Sequence, residues 1–123
     1  TYNNIGSSLS GLDRHAEALE YHKRGLVVWK EVLGENHSLV AISYNNIGSS
    51  LNGLGKHIEA LKYHQKALAI RKKVLRSNHP LIAASYNNIA DSLGKLGRDE
   101  EGLEYHQKAL EIHKVILGEK SDK

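Results

Sequence analysis

Three pairs of adjacent asparagines stand out among the side chains of this sequence that could recognise another molecule. A carboxamide carries both a hydrogen-bond donor and an acceptor, so it can pair with the N–H and C=O groups of an extended polypeptide. Asparagine is also a mediocre helix former, because its side chain competes for backbone hydrogen bonds. The pairs therefore indicate a role other than helix stability. They are Asn3 and Asn4, Asn45 and Asn46, and Asn87 and Asn88.

Eight histidines raise the question of a metal site. His22, His64 and His106 lie within the apolar side of their predicted helices, where a packed and hydrogen-bonded ring is the expected state. The pairs His15/His22 and His106/His113 are seven residues apart, whereas helical zinc sites use ligands four residues apart. We predict no metal site.

A basic segment in the middle of the chain is the third candidate. Residues 44–85 carry seven basic groups and one acidic group, although the whole chain has a net charge of only +3. Lys62, Lys66 and Lys73 share one outer face of a predicted helix. This face is either a solvated surface with weak charge pairs or a secondary site for an acidic partner or nucleic acid. We expect no aromatic side chain to interleave with these lysines, which argues against stacking on single-stranded nucleic acid. We do not expect a nucleic-acid partner.

Catalytic chemistry is not predicted. The 123 residues contain no cysteine, no phosphate-binding glycine loop and no serine with a plausible base partner. We therefore expect neither an enzyme nor a cofactor. With 40% apolar and 25% charged residues and no apolar run near the roughly 18 residues of a membrane span, the composition predicts a soluble single domain, residues 1–123. We expect a cytoplasmic protein without a membrane partner.

A period of 42 residues organises all three candidates. Tyr2, Tyr44 and Tyr86 are 42 residues apart, and an ungapped comparison of residues 44–75 with 86–117 gives 19 identities in 32 positions. Each repeat reads as two helices. In the second repeat they cover about 38–54 and 57–75, with apolar residues at helical spacing. Gly55, Gly97 and Asp13 mark the turns between the two helices, and Pro80 suits a first helical turn.

This pattern resembles the tetratricopeptide repeat (TPR), W-x2-L-G-x2-Y…A-x3-F. In the second repeat the matching residues are Tyr44, Ile47, Gly48, Leu51, Ala60 and His64. Two departures are the histidine in place of the last aromatic residue and the missing terminal proline. The period exceeds the usual 34 by eight residues, which is similar to the long repeats of kinesin light chains. HEAT repeats of similar length are the alternative, but they lack this motif.

The resemblance implies an all-α, right-handed superhelical solenoid of three helix-turn-helix repeats, without capping helices. Their predicted bounds are 1–37, 38–79 and 80–123. It also implies that the first helices line a concave groove that binds a protein or peptide segment. A helical wheel places the asparagines opposite the packing stripe of Tyr44, Ile47, Leu51 and Leu54. The predicted groove residues are Asn3, Asn4, Asn45, Asn46, Asn87, Asn88, Ile42, Ser49, Asn52 and Asp91.

Two alternatives to groove binding remain open. One asparagine of each pair could instead bond to the adjacent repeat or to local backbone, and the array could be a scaffold with no groove ligand. Because repeats bury their faces against one another, Leu103, Leu110 and Leu117 would have no following repeat to cover them. We expect this chain to form a homo-oligomer through its uncapped ends.

Overall fold

The computed structural model describes residues 14–121, and every regular element in that range is an α-helix. Corresponding helices begin 42 residues apart, at Ser38 and Pro80 and at His15, His57 and Asp99, as the sequence period predicts. The helices are α1 (His15–Leu33), α2 (Ser38–Gly53), α3 (His57–Val74), α4 (Pro80–Lys95) and α5 (Asp99–Ser121).

Glycines end α2 and α4 and reverse the chain into the next helix. Gly55 and Gly97 have φ angles of 79° and 76°, the left-handed conformation that a side chain with a Cβ rarely adopts. Lys56 N donates to Leu51 O at 2.8 Å, and Arg98 N donates to Leu93 O at the same distance. These six-residue bonds are those of a Schellman motif. The predicted turns at Gly55 and Gly97 are confirmed.

Histidines begin α2 and α4, a role that the sequence analysis missed. His37 and His79 have extended backbone before the first helical residue, and their Nδ1 atoms accept hydrogen bonds from Leu39 N and Leu81 N at 3.1 and 3.0 Å. Each ring thereby satisfies one of the amide groups that a helix N-terminus leaves without a partner. Pro80 occupies the first turn of α4, as predicted.

The core is divided into clusters that each join one first helix to the second helices on either side of it. Ile47 and Leu51 of α2 pack on Ala60 of α3 and on Leu19 and Leu26 of α1. In the next repeat, Ile89 and Leu93 of α4 pack on Leu61 of α3, with Tyr105 of α5 beside them. Each repeat therefore buries its apolar side against the preceding one, as in a solenoid.

Leu54 differs from its predicted place in the packing stripe. It is 39% exposed, whereas Ile47 and Leu51 are at most 2% exposed. The reason is that α2 ends at Gly53, so Leu54 belongs to the turn and no longer follows the helical period. The last helix continues to Ser121, whereas its counterpart α3 ends at Val74, the position that corresponds to Ile116.

Candidate functional site

The first helices α2 and α4 lie side by side and carry most of the predicted site residues. We call the surface formed by the polar side of these two helices the A-helix face. Asn88 Nδ2 donates a hydrogen bond of 2.6 Å to Asn45 Oδ1 across the two helices. Both side chains are half-buried. One asparagine from each of two successive pairs therefore bonds to the neighbouring repeat.

The second member of this pair, Asn46, differs from Asn45 in its contacts to the described residues. It is half-buried, and its carboxamide makes no hydrogen bond to any residue within 14–121. Ser49, one turn further along α2, is exposed, and Ile42, one turn before, is half-buried. Part of α2 thus presents, between a hydroxyl and an apolar side chain, an amide that has no hydrogen-bond partner among residues 14–121.

Asn52 belongs to a polar network between the repeats. Its Nδ2 donates to Ser92 Oγ at 3.0 Å, and its Oδ1 lies 2.8 Å from His57 Nδ1. Since the amide oxygen can only accept, the imidazole nitrogen of His57 donates. The structure therefore gives Asn52 partners on α3 and α4, which hold its carboxamide in one orientation.

Asn87 and Asp91 lie beside a histidine of the last helix. His106 Nδ1 donates to Asn87 Oδ1 at 3.0 Å, and His106 Nε2 is 4.0 Å from Asp91 Oδ1. The side chains of His106 and Asp91 are 49% and 67% exposed. Asn3 and Asn4 lie outside the described residues, so their predicted place on the same face is not described here.

The tetratricopeptide repeat family matches residues 1–73 and 39–114 of the sequence, two overlapping ranges that together cover most of the chain. This chain belongs to the tetratricopeptide repeat family. No curated protein sequence matches it significantly.

Solved structures similar to this TPR chain include BtubC (BKLC) from P. vanneervenii, at 22% identity and a TM-score of 0.88 over 95% of this chain and 47% of that one. The TPR domain of Arabidopsis FLU is 23% identical, with a TM-score of 0.82 over 93% and 92% of the two chains. A putative kinesin light chain of Podosopora anserina with nearly identical TPR-like repeats is 22% identical, with a TM-score of 0.82 over 90% and 53%. The chain thus spans about half the length of the first and third of these.

These likenesses confirm the predicted fold, an all-α TPR solenoid of the kinesin-light-chain-like type. TPR arrays are as a family protein-interaction or scaffold modules without catalytic activity. No helix within residues 14–121 is long and apolar enough to cross a membrane. No group of three or more histidine, aspartate or glutamate side chains within that range could hold a metal ion.

His22, His64 and His106 occupy corresponding positions of the three repeats, but only the first two are buried. His22 and His64 are 1% exposed, as predicted for packed rings, but the prediction is wrong for His106. A Cβ built on Gly48 would lie 2.7 Å from His64 Nε2, so that ring packs directly on the glycine backbone. In the third repeat the corresponding residue is Ala90, whose Cβ would clash with a ring in the position that His64 has over Gly48.

A reverse exchange, from alanine to glycine, occurs on the second helix of the pair. Where the second repeat has Ala60 the third has Gly102, and a Cβ on Gly102 would lie 3.1 Å from Ala90 O. The second repeat therefore combines Gly48 with Ala60, and the third combines Ala90 with Gly102. This paired difference was the sequence signal that could have predicted the exposed His106.

Arg71 is buried at 4% exposure, on the packing side of α3. It donates to Ser85 Oγ at 2.8 Å and to Leu81 O at 3.2 Å, and so ties α3 to α4. Burial, with a smaller contribution from this nearby guanidinium, lowers the pKa of His64 to about 4. His64 is therefore neutral in the folded repeat at neutral pH.

The basic patch of Lys62, Lys66 and Lys73 is exposed on α3. Lys66 Nζ lies 5.5 Å from the centroid of the Tyr44 ring and 5.3 Å from that of Tyr63. The expectation that no aromatic ring would lie among these lysines is therefore wrong. Because the two rings hold the ammonium group by cation–π attraction, Lys66 has a structural partner within its own repeat. Lys108 repeats the arrangement over Tyr86 and Tyr105 at 5.7 and 5.0 Å.

Proposed function

We propose that this TPR array binds an extended segment of another protein in a concave groove of a right-handed superhelix, lined by its first helices. The observation that carries the proposal is the carboxamide of Asn46, which lies on the A-helix face without a hydrogen bond to the residues in 14–121. A partly exposed amide with both a donor and an acceptor can bond to the backbone of a ligand whatever the ligand's side chains are.

The remaining residues of the face have different parts in this proposal. Asn45 and Asn88 form one hydrogen bond with each other. Each carboxamide has further donors or acceptors that can bond to the backbone of a ligand. Ser49, Asn87 and Asp91 supply polar contacts one turn away, and Ile42 supplies an apolar one. We assign Asn52 to positioning, since its amide is held by Ser92 and His57. Asn3 and Asn4, which lie outside the described residues, hold the corresponding sequence positions of the first repeat, and we propose that they contribute to the same binding.

A second candidate function is scaffolding by stacking of repeats without a groove ligand. Leu103, Leu110 and Leu117 of α5 are 57%, 52% and 62% exposed. Their counterparts Leu61, Leu68 and Leu75 are at least partly buried, and each of them packs against α4. We propose that the leucine row of α5 accepts a further repeat unit, which a second copy of the chain supplies when the 123 residues are studied alone.

A peptide library displayed on phage tests the groove directly. The groove proposal expects selected peptides to bind the unaltered chain and to bind Asn46→Ala at least about fivefold more weakly, the equivalent of about 1 kcal/mol for one lost hydrogen bond. Lys62→Glu with Lys73→Glu is the matched control on the outer face, where binding should persist. Loss of binding only in this control would instead make the basic patch of α3 the site for an acidic partner.

Sedimentation over a wide range of concentration tests the stacking candidate. Association of the unaltered chain that Leu103→Lys with Leu110→Lys abolishes would support it, because both leucines are exposed and their replacement leaves the core intact. A monomer at every concentration would contradict it.

Neither candidate function is catalytic or involves a nucleic acid. We propose that the protein acts in the cytoplasm.

A further inference from the structure

The third repeat carries a polar site that the second repeat lacks. His64 of the second repeat is buried on Gly48, whereas His106, its counterpart, is 49% exposed because the Cβ of Ala90 would clash with a ring in that position. The residue that corresponds to Ser49 is also different, since the third repeat has Asp91 there. An exposed imidazole and an exposed carboxylate therefore replace a buried ring and a hydroxyl group.

Asn87 fixes which nitrogen of His106 faces Asp91. Its amide oxygen accepts a hydrogen bond from His106 Nδ1 at 3.0 Å, so Nδ1 carries hydrogen. In the neutral ring Nε2 is then an acceptor, and it lies 4.0 Å from the carboxylate oxygen of Asp91. This separation is too long for a hydrogen bond between the two. Two acceptors, one of them negatively charged, thus lie close together at the surface, where an incoming donor can reach both.

A cavity of about 610 Å³ opens at these two acceptors, and its lining residues are Asn52, Ala90, Asp91, Gly94, Lys95 and His106. Gly94 stands where the second repeat has Asn52, so no side chain fills the space at that position. The bonded carboxamide of Asn52 forms one wall. The site is therefore continuous with the A-helix face.

We propose that this cavity binds the ammonium or guanidinium group of a lysine or arginine side chain in the segment held by the groove. The inference rests on the proposed function. Such a group supplies the N–H donors that Nε2 and the carboxylate lack, and its positive charge complements Asp91. A metal ion fits less well, because the site offers it only two ligands and no group of three exists within residues 14–121.

Lys95 is the residue of the cavity that opposes such a ligand. It lies at the end of α4, one turn after Asp91, and its positive charge repels a cation in the same space. The proposal therefore expects opposite effects from two neighbouring substitutions. Asp91→Ser, which restores the residue of the second repeat, removes the attraction, and Lys95→Ala removes the repulsion.

The test uses the same displayed peptide library with the unaltered chain and both variants. We expect lysine or arginine to be enriched at one fixed position of the selected peptides. This enrichment should fall roughly tenfold with Asp91→Ser and should rise with Lys95→Ala. Peptides that bind without a basic position, or that keep it with Asp91→Ser, overturn the inference while leaving groove binding intact.

If the library yields no binding peptide, the proposed function is overturned. A second measurement tests the inference in that case too. N-acetyl-lysine methylamide is titrated into the chain while the imidazole nitrogens of His106 are followed by NMR. We expect a saturable shift at Nε2 that is absent with N-acetyl-norleucine methylamide and absent in Asp91→Ser. No shift, or an equal shift with the norleucine compound, overturns the inference.

Discussion

Asn88 Nδ2 donates a hydrogen bond of 2.6 Å to Asn45 Oδ1, and this bond joins the first helices of two successive repeats. The two asparagines of the second repeat therefore differ in their contacts. Asn45 accepts from the following repeat, while its neighbour Asn46 has no such bond within residues 14–121. In the second repeat the pair therefore combines a contact to the next repeat with an amide that has no hydrogen-bond partner within residues 14–121.

The first prediction follows from this division. Asn88→Ala removes the donor to Asn45, and we expect the free energy of unfolding to fall by about 1 kcal/mol, the usual net contribution of one hydrogen bond. Asn46→Ala is the matched control and should change stability by less than about 0.5 kcal/mol. Urea unfolding followed by circular dichroism measures both. Equal losses in the two variants would contradict the division of roles.

The second prediction concerns the glycine beneath His64. Gly48→Ala places a Cβ 2.7 Å from His64 Nε2, and we expect a loss of about 1–3 kcal/mol from the resulting overpacking. In a His64→Ala background the ring is gone, so the same change should be neutral or stabilising because alanine favours the helix. A double-mutant cycle from urea unfolding gives the coupling. An equal cost in both backgrounds would refute the account of the buried ring.

The sequence predicted the helices well because their signals are local and repeat every 42 residues. Helical spacing gave α2 and α3 to within one residue of their ends, and Gly55 and Gly97 gave the turns. His106 was missed because its exposure depends on Ala90, a residue on another helix that differs from Gly48 by a single methyl group. The Asn45–Asn88 bond likewise joins two helices, and the helical wheel of one helix does not show it.

The third prediction is a loss of stability in mild acid. The pKa of His64 is lowered to about 4 in the fold, against 6.5 for an unburied histidine. The unfolded chain therefore takes up a proton first, so the stabilisation is complete above about pH 6.5 and is lost as the pH falls towards 4. His22, whose pKa burial also lowers, contributes with the same sign.

We expect about 2 kcal/mol of this loss from His64 between pH 7.5 and pH 5. Urea unfolding at both pH values measures it, with His64→Phe as the comparison because phenylalanine keeps an aromatic ring and cannot take up the proton. In this variant the free energy of unfolding should differ less between pH 7.5 and pH 5 than in the unaltered chain. An unchanged difference would show that His64 does not titrate in the way the buried ring requires.

The fourth prediction separates Lys66 from the rest of the basic patch. Lys66→Met keeps most of the apolar stem and removes the charge above Tyr44 and Tyr63, so about 0.5–1 kcal/mol of stability should be lost. Lys62→Met is the control on the same helix, where no ring or ion contact to the described residues exists. Thermal unfolding compares the two. A larger effect at Lys62 would contradict the assigned cation–π contacts.

The fifth prediction compares two glycines. Gly55→Ala forces a Cβ into a φ of 79°, and with nothing within 4 Å of that Cβ the expected cost of about 1–2 kcal/mol comes from the backbone alone. Gly94→Ala lies inside α4, where the added methyl meets only Asp99 Oδ1 at 3.8 Å. There we expect a gain of up to about 1 kcal/mol. Urea unfolding measures both changes in the free energy of unfolding. Opposite signs for the two variants would support the assigned turn at Gly55.

We expect the A-helix face to hold the backbone of an extended segment, with the Asn46 carboxamide as a direct contact. The most direct measurement is the NMR shift of the side-chain Nδ2–H2 groups on titration with a peptide selected from the displayed library. We expect the signal of Asn46 to shift and to saturate at the same peptide concentration that saturates binding. Shifts confined to α3 and α5, with the Asn46 signal unchanged, would contradict it.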